Sequence, residues 1–190
     1  MRRFLHAGQF RDKFASLRAD YENTYSQQIQ RIRGSASDNP TSQPPPIVDE
    51  CLEYHARTYI INGMFEALNW PLQSDEGLPA FVPEAQIESL ERGTRRFLDY
   101  FGLSPTTQKP LIVVEAKRPS LSLPSDENLP ETIASGLREQ NLGEVWNEIL
   151  SSIQDYVNSV TAHFGYSPHR VGITNGSWLI LFLDPIQTFV

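Results

Sequence analysis

A chain of 190 residues is long enough for one globular domain with a real hydrophobic core and some additional segments. Its 39% hydrophobic and 21% charged residues suit a soluble protein, its single cysteine suits a reducing cytoplasm, and its longest apolar run, Trp178 to Leu183, is far too short to cross a membrane. A single cysteine, Cys51, excludes an internal disulfide, and the formal net charge of −7 is the reverse of the basic footprint usual in nucleic-acid binders.

In chain order, residues 1–33 read as a helical arm, because Phe4, Phe10, Phe14, Leu17, Tyr21 and Tyr25 recur at roughly helical spacing. This segment carries seven basic and three acidic side chains, a local excess of +4. Packing on the body or on a second subunit, or a basic grip on phosphates, would each suit it. Gln9, Arg11, Asp12 and Lys13 interrupt any apolar stretch of the kind a signal peptide needs. Residues 34–48 are rich in Pro and Ser and read as a linker. From Asp49 to Leu68 a strong helix is predicted, with Leu52, Ala56, Ile60, Met64 and Leu68 on one stripe and Pro71 closing it. A short helix is expected at Pro83–Leu90.

Two strands are predicted next, Thr94–Phe101 and Leu111–Lys117, joined by a turn region from Gly102 to Pro110. Residues 119–142, rich in Pro, Ser and Asn, read as an insertion or lid with a helical turn at Glu131–Arg138. A second strong helix runs from about Gly143 to Phe164, where Val145, Ile149, Ile153, Tyr156, Val160 and Phe164 line one face and Gly165 stops it. The chain then forms a hairpin, Arg170–Thr174 and Ser177–Leu183, turned at Asn175-Gly176 by the preferred type I′ pair. Residues 49–190 therefore read as one mixed α/β domain with helices flanking a single sheet.

The chemistry concentrates in Val113-Val-Glu-Ala-Lys-Arg-Pro119. Residues i and i+2 of a strand share a face, so Glu115 and Lys117 project together at the end of an apolar strand. A carboxylate can hold a divalent cation, and a neighbouring ammonium lowers the cost of deprotonating a water. A second carboxylate is available as Asp99 on the preceding strand. If the two strands are antiparallel with Asp99 opposite Val113 or Glu115, both acids share one face; a slip of one residue separates them.

The strings Leu98-Asp99-Tyr100, Val114-Glu-Ala-Lys-Arg-Pro119 and Gly172-Ile-Thr-Asn-Gly-Ser-Trp178 resemble the restriction-endonuclease-like PD-(D/E)xK nucleases. The likeness is greatest to the N-terminal nuclease domain of type I restriction enzyme motor subunits and related antiphage effectors. Glu53, Arg57, Phe65, Leu68 and Asn69-Trp70 are similar to that family's opening helix. Leu98 stands in place of the family's Pro, and Asn69 in place of its usual Gly. The resemblance spans roughly residues 49–183 and leaves the arm unexplained.

It implies a restriction-endonuclease-like fold and Mg²⁺-dependent hydrolysis of DNA, with Mn²⁺ able to substitute. Asp99 and Glu115 would be the metal ligands, Lys117 would position the attacking water, and Glu53 would be an outer or second-metal ligand. Gln154, Arg118 and Asn175 become candidate substrate contacts. RNA as substrate, an ATPase or sensor domain beyond the C-terminus, and a homo-oligomer are compatible partners.

Simpler roles stand beside these. Glu53 also reads as a surface charge paired with Arg57, and Asn175-Gly176 as turn geometry alone. His55, His163 and His169 lack zinc-ligand spacing with any cysteine pair. A catalytically inactive module of the same fold, serving nucleic-acid binding or assembly, is the alternative to an enzyme.

Overall fold

A computed structural model describes residues 7–36, 53–68, 70, 72, 81–88, 95–104, 106–123 and 142–189. Cys51, most of the expected linker and residues 124–141 of the expected lid lie outside them. The protein is α/β, with a five-stranded mixed sheet and helices. The chain divides into two compact units. One comprises Met1–Leu72, Ala116–Leu121 and Asn175–Ser177, and the other Gln73–Glu115, Ser122–Thr174 and Trp178–Val190.

The second unit holds the sheet, with strands in the order β1 (Phe81–Glu88), β2 (Arg95–Leu103), β3 (Pro110–Ala116), β4 (Arg170–Thr174) and β5 (Leu179–Phe182). The expected short helix at 83–90 is instead β1. Pairing with β2 from Phe81↔Gly102 to Glu88↔Arg95 outweighs the helical preference of Glu-Ala-Gln, and an edge strand tolerates Pro83, which has no N–H to offer. β2 and β3 are antiparallel through Tyr100↔Val114, Phe101↔Val113 and Gly102↔Ile112. Their connection is closed by Ser104 N–H donating to Lys109 O and Gln108 N–H to Ser104 O, both at 2.9 Å.

Helix Glu144–Phe164 begins after Gly143 and ends at Gly165 in the left-handed region (φ +69°). Its Trp146, Ile149, Leu150, Ile153, Tyr156, Val157 and Val160 are buried. This stripe gathers the apolar area that stabilises the unit. The helix packs on β1 and on a short C-terminal helix, Pro185–Phe189. Asp184 starts that last helix, its Oδ1 accepting from Gln187 N–H at 3.1 Å, with Pro185 in the first turn where no N–H is missed.

The β4–β5 connection is wider than the type I′ turn expected. Thr174 pairs with Leu179, leaving Asn175–Trp178 as a four-residue loop, and of these only Gly176 has a positive φ (+85°). Thr174 Oγ1 closes it by donating to Trp178 O at 2.6 Å. A type I′ turn needs both central residues left-handed, and here Asn175 is not.

The first unit is built on two helices, α1 (Ala7–Ala36) and α2 (residues 53–67). α2 contains a π-helical stretch, Arg57–Ile61, between α-helical turns. The wider turn brings the consecutive residues Ile60 and Ile61 into the core, while Tyr54, Thr58 and Tyr59 are exposed. α1 approaches α2 closely at Gly63, where a Cβ would stand 2.8 Å from Leu17 Cδ2. Tyr21 of α1 lies against His55 (ring centroids 5.8 Å), which in turn lies against Tyr59 (4.4 Å).

Two stability measurements follow from this packing. A Cβ at Gly176 would sit 2.5 Å from Ile60 Cγ2 on a left-handed backbone. Gly176→Ala is therefore expected to cost about 2–4 kcal/mol in urea unfolding, combining backbone strain and overpacking. Burial lowers the His55 pKa from its ordinary 6.5. Below pH 6.5 the unfolded chain takes up the proton more readily than the folded one, so His55's contribution is complete above that pH and declines as pH falls through the window. A His55→Phe variant should show a flatter melting temperature between pH 7 and pH 5, by scanning calorimetry, than the wild type.

Candidate functional site

The sequence-predicted acids Asp99 and Glu115 both belong to the sheet unit. Asp99 lies mid-way along β2, half-buried, between Leu98 and Tyr100, whose side chains take the opposite face and are fully buried. The ladder joins Phe101↔Val113 and ends at Tyr100↔Val114, and Asp99 and Glu115 are the next residues of the two strands, each two positions from the Phe101↔Val113 pair. The two carboxylates thus stand on one face of neighbouring strands. β3 stays buried up to its end, and Glu115 is only 6% exposed among Val113, Val114 and Ala116. A carboxylate so deeply placed is costly unless donors or a cation compensate its charge.

β1 also carries an acid, Glu84. This residue lies between Pro83, paired with Tyr100, and Ala85, paired with Leu98, and interrupts the ladder. It is exposed and has a φ of +52°, rare for a residue with a side chain. Sequence reasoning missed it by reading the segment as a helix. The alternation of Ala85 and Ile87 with Glu84 and Gln86 was a weak strand signal, blurred by Pro83. Among the described residues, no group of three or more His, Cys, Asp or Glu side chains is close enough to hold a metal ion.

Glu53 and Lys117 belong to the first unit, whose boundary with the sheet unit passes between Glu115 and Ala116. Lys117 follows β3 directly, and its Nζ is 4.0 Å from Glu53 Oε2, with side-chain exposures of 16% and 32%. The expected Glu53–Arg57 surface pair is therefore not the whole account of Glu53. Arg57 itself lies over the Tyr54 ring, 5.9 Å from its centroid. Arg118 is half-buried in the turn that follows, where Leu121 N–H donates to Arg118 O at 3.1 Å.

Asn175, a candidate substrate contact beside its reading as a turn residue, is 2% exposed. Its Nδ2 donates to Pro119 O (3.1 Å) and Leu121 O (3.0 Å), and its Oδ1 accepts from Ser177 N–H (2.9 Å). The side chain is a clamp on the segment that leaves β3. Gln154 Nε2 donates to Phe189 O at 2.6 Å, which ties its amide to the C-terminal helix. An open groove of about 790 Å³ runs along the polar face of helix Glu144–Phe164, lined by Arg96, Asn147, Glu148, Ser151 and Asp155 among others. Neither Asp99 nor Glu115 lines it; Arg96 and Asp155 pair across it at 3.2 Å.

No family model, no curated protein and no solved structure matches the chain.

The clamp has a measurable consequence. Asn175→Ala removes two donors from buried or partly buried carbonyls and the acceptor of Ser177 N–H. A loss of about 2–4 kcal/mol in chemical denaturation is expected, since each unmet buried group costs about 1–3 kcal/mol. Asn175→Asp, which sets a carboxylate oxygen against the two carbonyls, should cost at least as much.

Proposed function

We propose that this chain is a Mg²⁺-dependent endonuclease domain that hydrolyses DNA phosphodiesters, serving as the effector part of a restriction or antiviral defence protein. The observation that supports the reading is the β2–β3 register, with Asp99 and Glu115 on one face of adjacent strands and Lys117 two residues further along the chain. The Glu-Ala-Lys-Arg-Pro and Thr-Asn-Gly-Ser-Trp strings support it independently.

The donor set fits Mg²⁺. This ion prefers hard oxygen ligands, keeps several waters, and is commonly held by one or two carboxylates together with substrate phosphates. A pair of acids therefore meets the requirement without a third side chain. Bound there, the ion supplies Lewis-acid polarisation of the phosphate and a more acidic water. Asp99 and Glu115 contribute the anionic oxygens. The burial of Glu115 keeps its carboxylate in a medium where charge interactions are stronger than in water. Lys117 carries the ammonium that orients an attacking water or a phosphate oxygen, and Glu53 holds it as a positioning residue. The local +4 of residues 1–33 offers a polyanion the attraction that the chain as a whole, at −7, does not.

A second reading, an inactive module for binding or assembly, draws on the Glu53 contact of Lys117 and on the lack of a three-residue metal group among the described residues. Plasmid cleavage separates the two. The wild-type chain with Mg²⁺ or Mn²⁺ is expected to cut DNA, and Asp99→Asn, Glu115→Gln and Lys117→Ala are each expected to slow it by more than about a hundredfold. Melting temperatures recorded alongside exclude unfolding as the cause. Cleavage indifferent to all three changes would end this assignment, cleavage of RNA alone would revise the substrate, and a failure to bind Mn²⁺ by calorimetry would favour the inactive module.

A further inference from the structure

The two edges of the sheet are built differently. β1 at one edge carries Pro83 and the left-handed Glu84, which interrupts its ladder. Prolines, charges and local irregularities are the devices by which proteins keep a foreign strand from adding to an open edge. β5 at the other edge has none of them. From Ser177 to Leu183 there is no charged residue, no proline and no glycine. Leu179, Leu181 and Leu183 alternate along this segment and are 54%, 44% and 64% exposed, and Ile186 of the following helix is 52% exposed. Scattered exposed leucines are ordinary, but a continuous row beside an open strand edge is not. Among the described residues, β5 is paired with β4 alone.

We infer that β5 pairs with β5 of a second copy of this chain, antiparallel about a two-fold axis, joining the two sheets into one. The outward N–H and C=O groups of a strand edge are satisfied in kind by another strand, which fixes the type of occupant. The blunted β1 edge closes off head-to-tail pairing of β5 with β1, which would propagate into a filament, and leaves the self-complementary contact. Charge favours the same occupant. Each chain carries −7, and the uncharged stretch 177–183 is where two copies meet without opposing like charges. An axis through Leu181 sets Leu181 against its own copy and Leu179 against Leu183, so every direct cross-strand neighbour on that face is leucine. Since β5 has only four residues, the dimer is a reversible one at the small end of protein interfaces.

Sedimentation velocity of the intact chain across a concentration series tests this. The wild type is expected to pass from monomer to dimer. Leu181→Lys, which sets two ammonium groups opposite each other, should weaken association by about a hundredfold or more with an unchanged circular dichroism spectrum. In a Cys51→Ser background, Leu181→Cys should give a disulfide-linked dimer on mild oxidation, because directly opposed strand positions lie within disulfide reach. Leu111→Cys, exposed on β3 away from either edge, should stay monomeric. A wild type that remains monomeric at every concentration overturns the inference. So does a dimer that withstands Leu181→Lys and yields no cross-link at position 181.

Discussion

The antiparallel register of β2 against β3 is the constraint on which the candidate site stands. Side chains alternate faces along a strand, so a slip of one residue would turn Asp99 away from Glu115 and expose what is now buried. The register is held from both sides. Tyr100, Phe101, Val113 and Val114 are all buried and lose their environment in any other pairing. At the other end, the Ser104–Lys109 turn sets the loop length, with Gln108 in the left-handed region (φ +57°). An irregularity between Gly102 and Leu103 absorbs the mismatch before it reaches the acids.

Charge is distributed to match. Within the sheet unit Asp99 and Glu115 lie on neighbouring strands, while Arg96, three residues before Asp99, is directed to Asp155 on the main helix. Within the first unit, Lys117 meets Glu53 and Arg57 lies over an aromatic ring.

Much of the sheet unit was legible in the sequence because its signals are periodic. The apolar run ending at Glu115, the aromatic strand before it and the stripe from Val145 to Phe164 each match one template over their full length. β1 was not legible, since Pro-Glu-Ala-Gln prefers other states in isolation and becomes a strand only through β2. The π-helical stretch of α2 has no periodic signature over five residues. Asn175-Gly176 misled because the dipeptide specifies a turn but not its width, which the burial of the Asn175 side chain decided. Asp99 and Glu115 could be proposed from spacing alone. Which partner Lys117 keeps depends on contacts between segments distant in the chain.

Asn175 also bears on the order in which the protein assembles. Its bonds to Pro119 and Leu121 span 56 and 54 residues, and Gly176 meets Ile60 across a still longer stretch. The first unit therefore includes a piece that a ribosome delivers well after its helices, and after every described strand but β5. Helices α1 and α2 can form early, but the surface that receives Asn175 and Gly176 must wait, and contacts of such long sequence separation are slow to form. A nascent chain stalled before residue 175 would display Ile60 and the carbonyls of the 119–121 turn without their cover, a natural target for a chaperone.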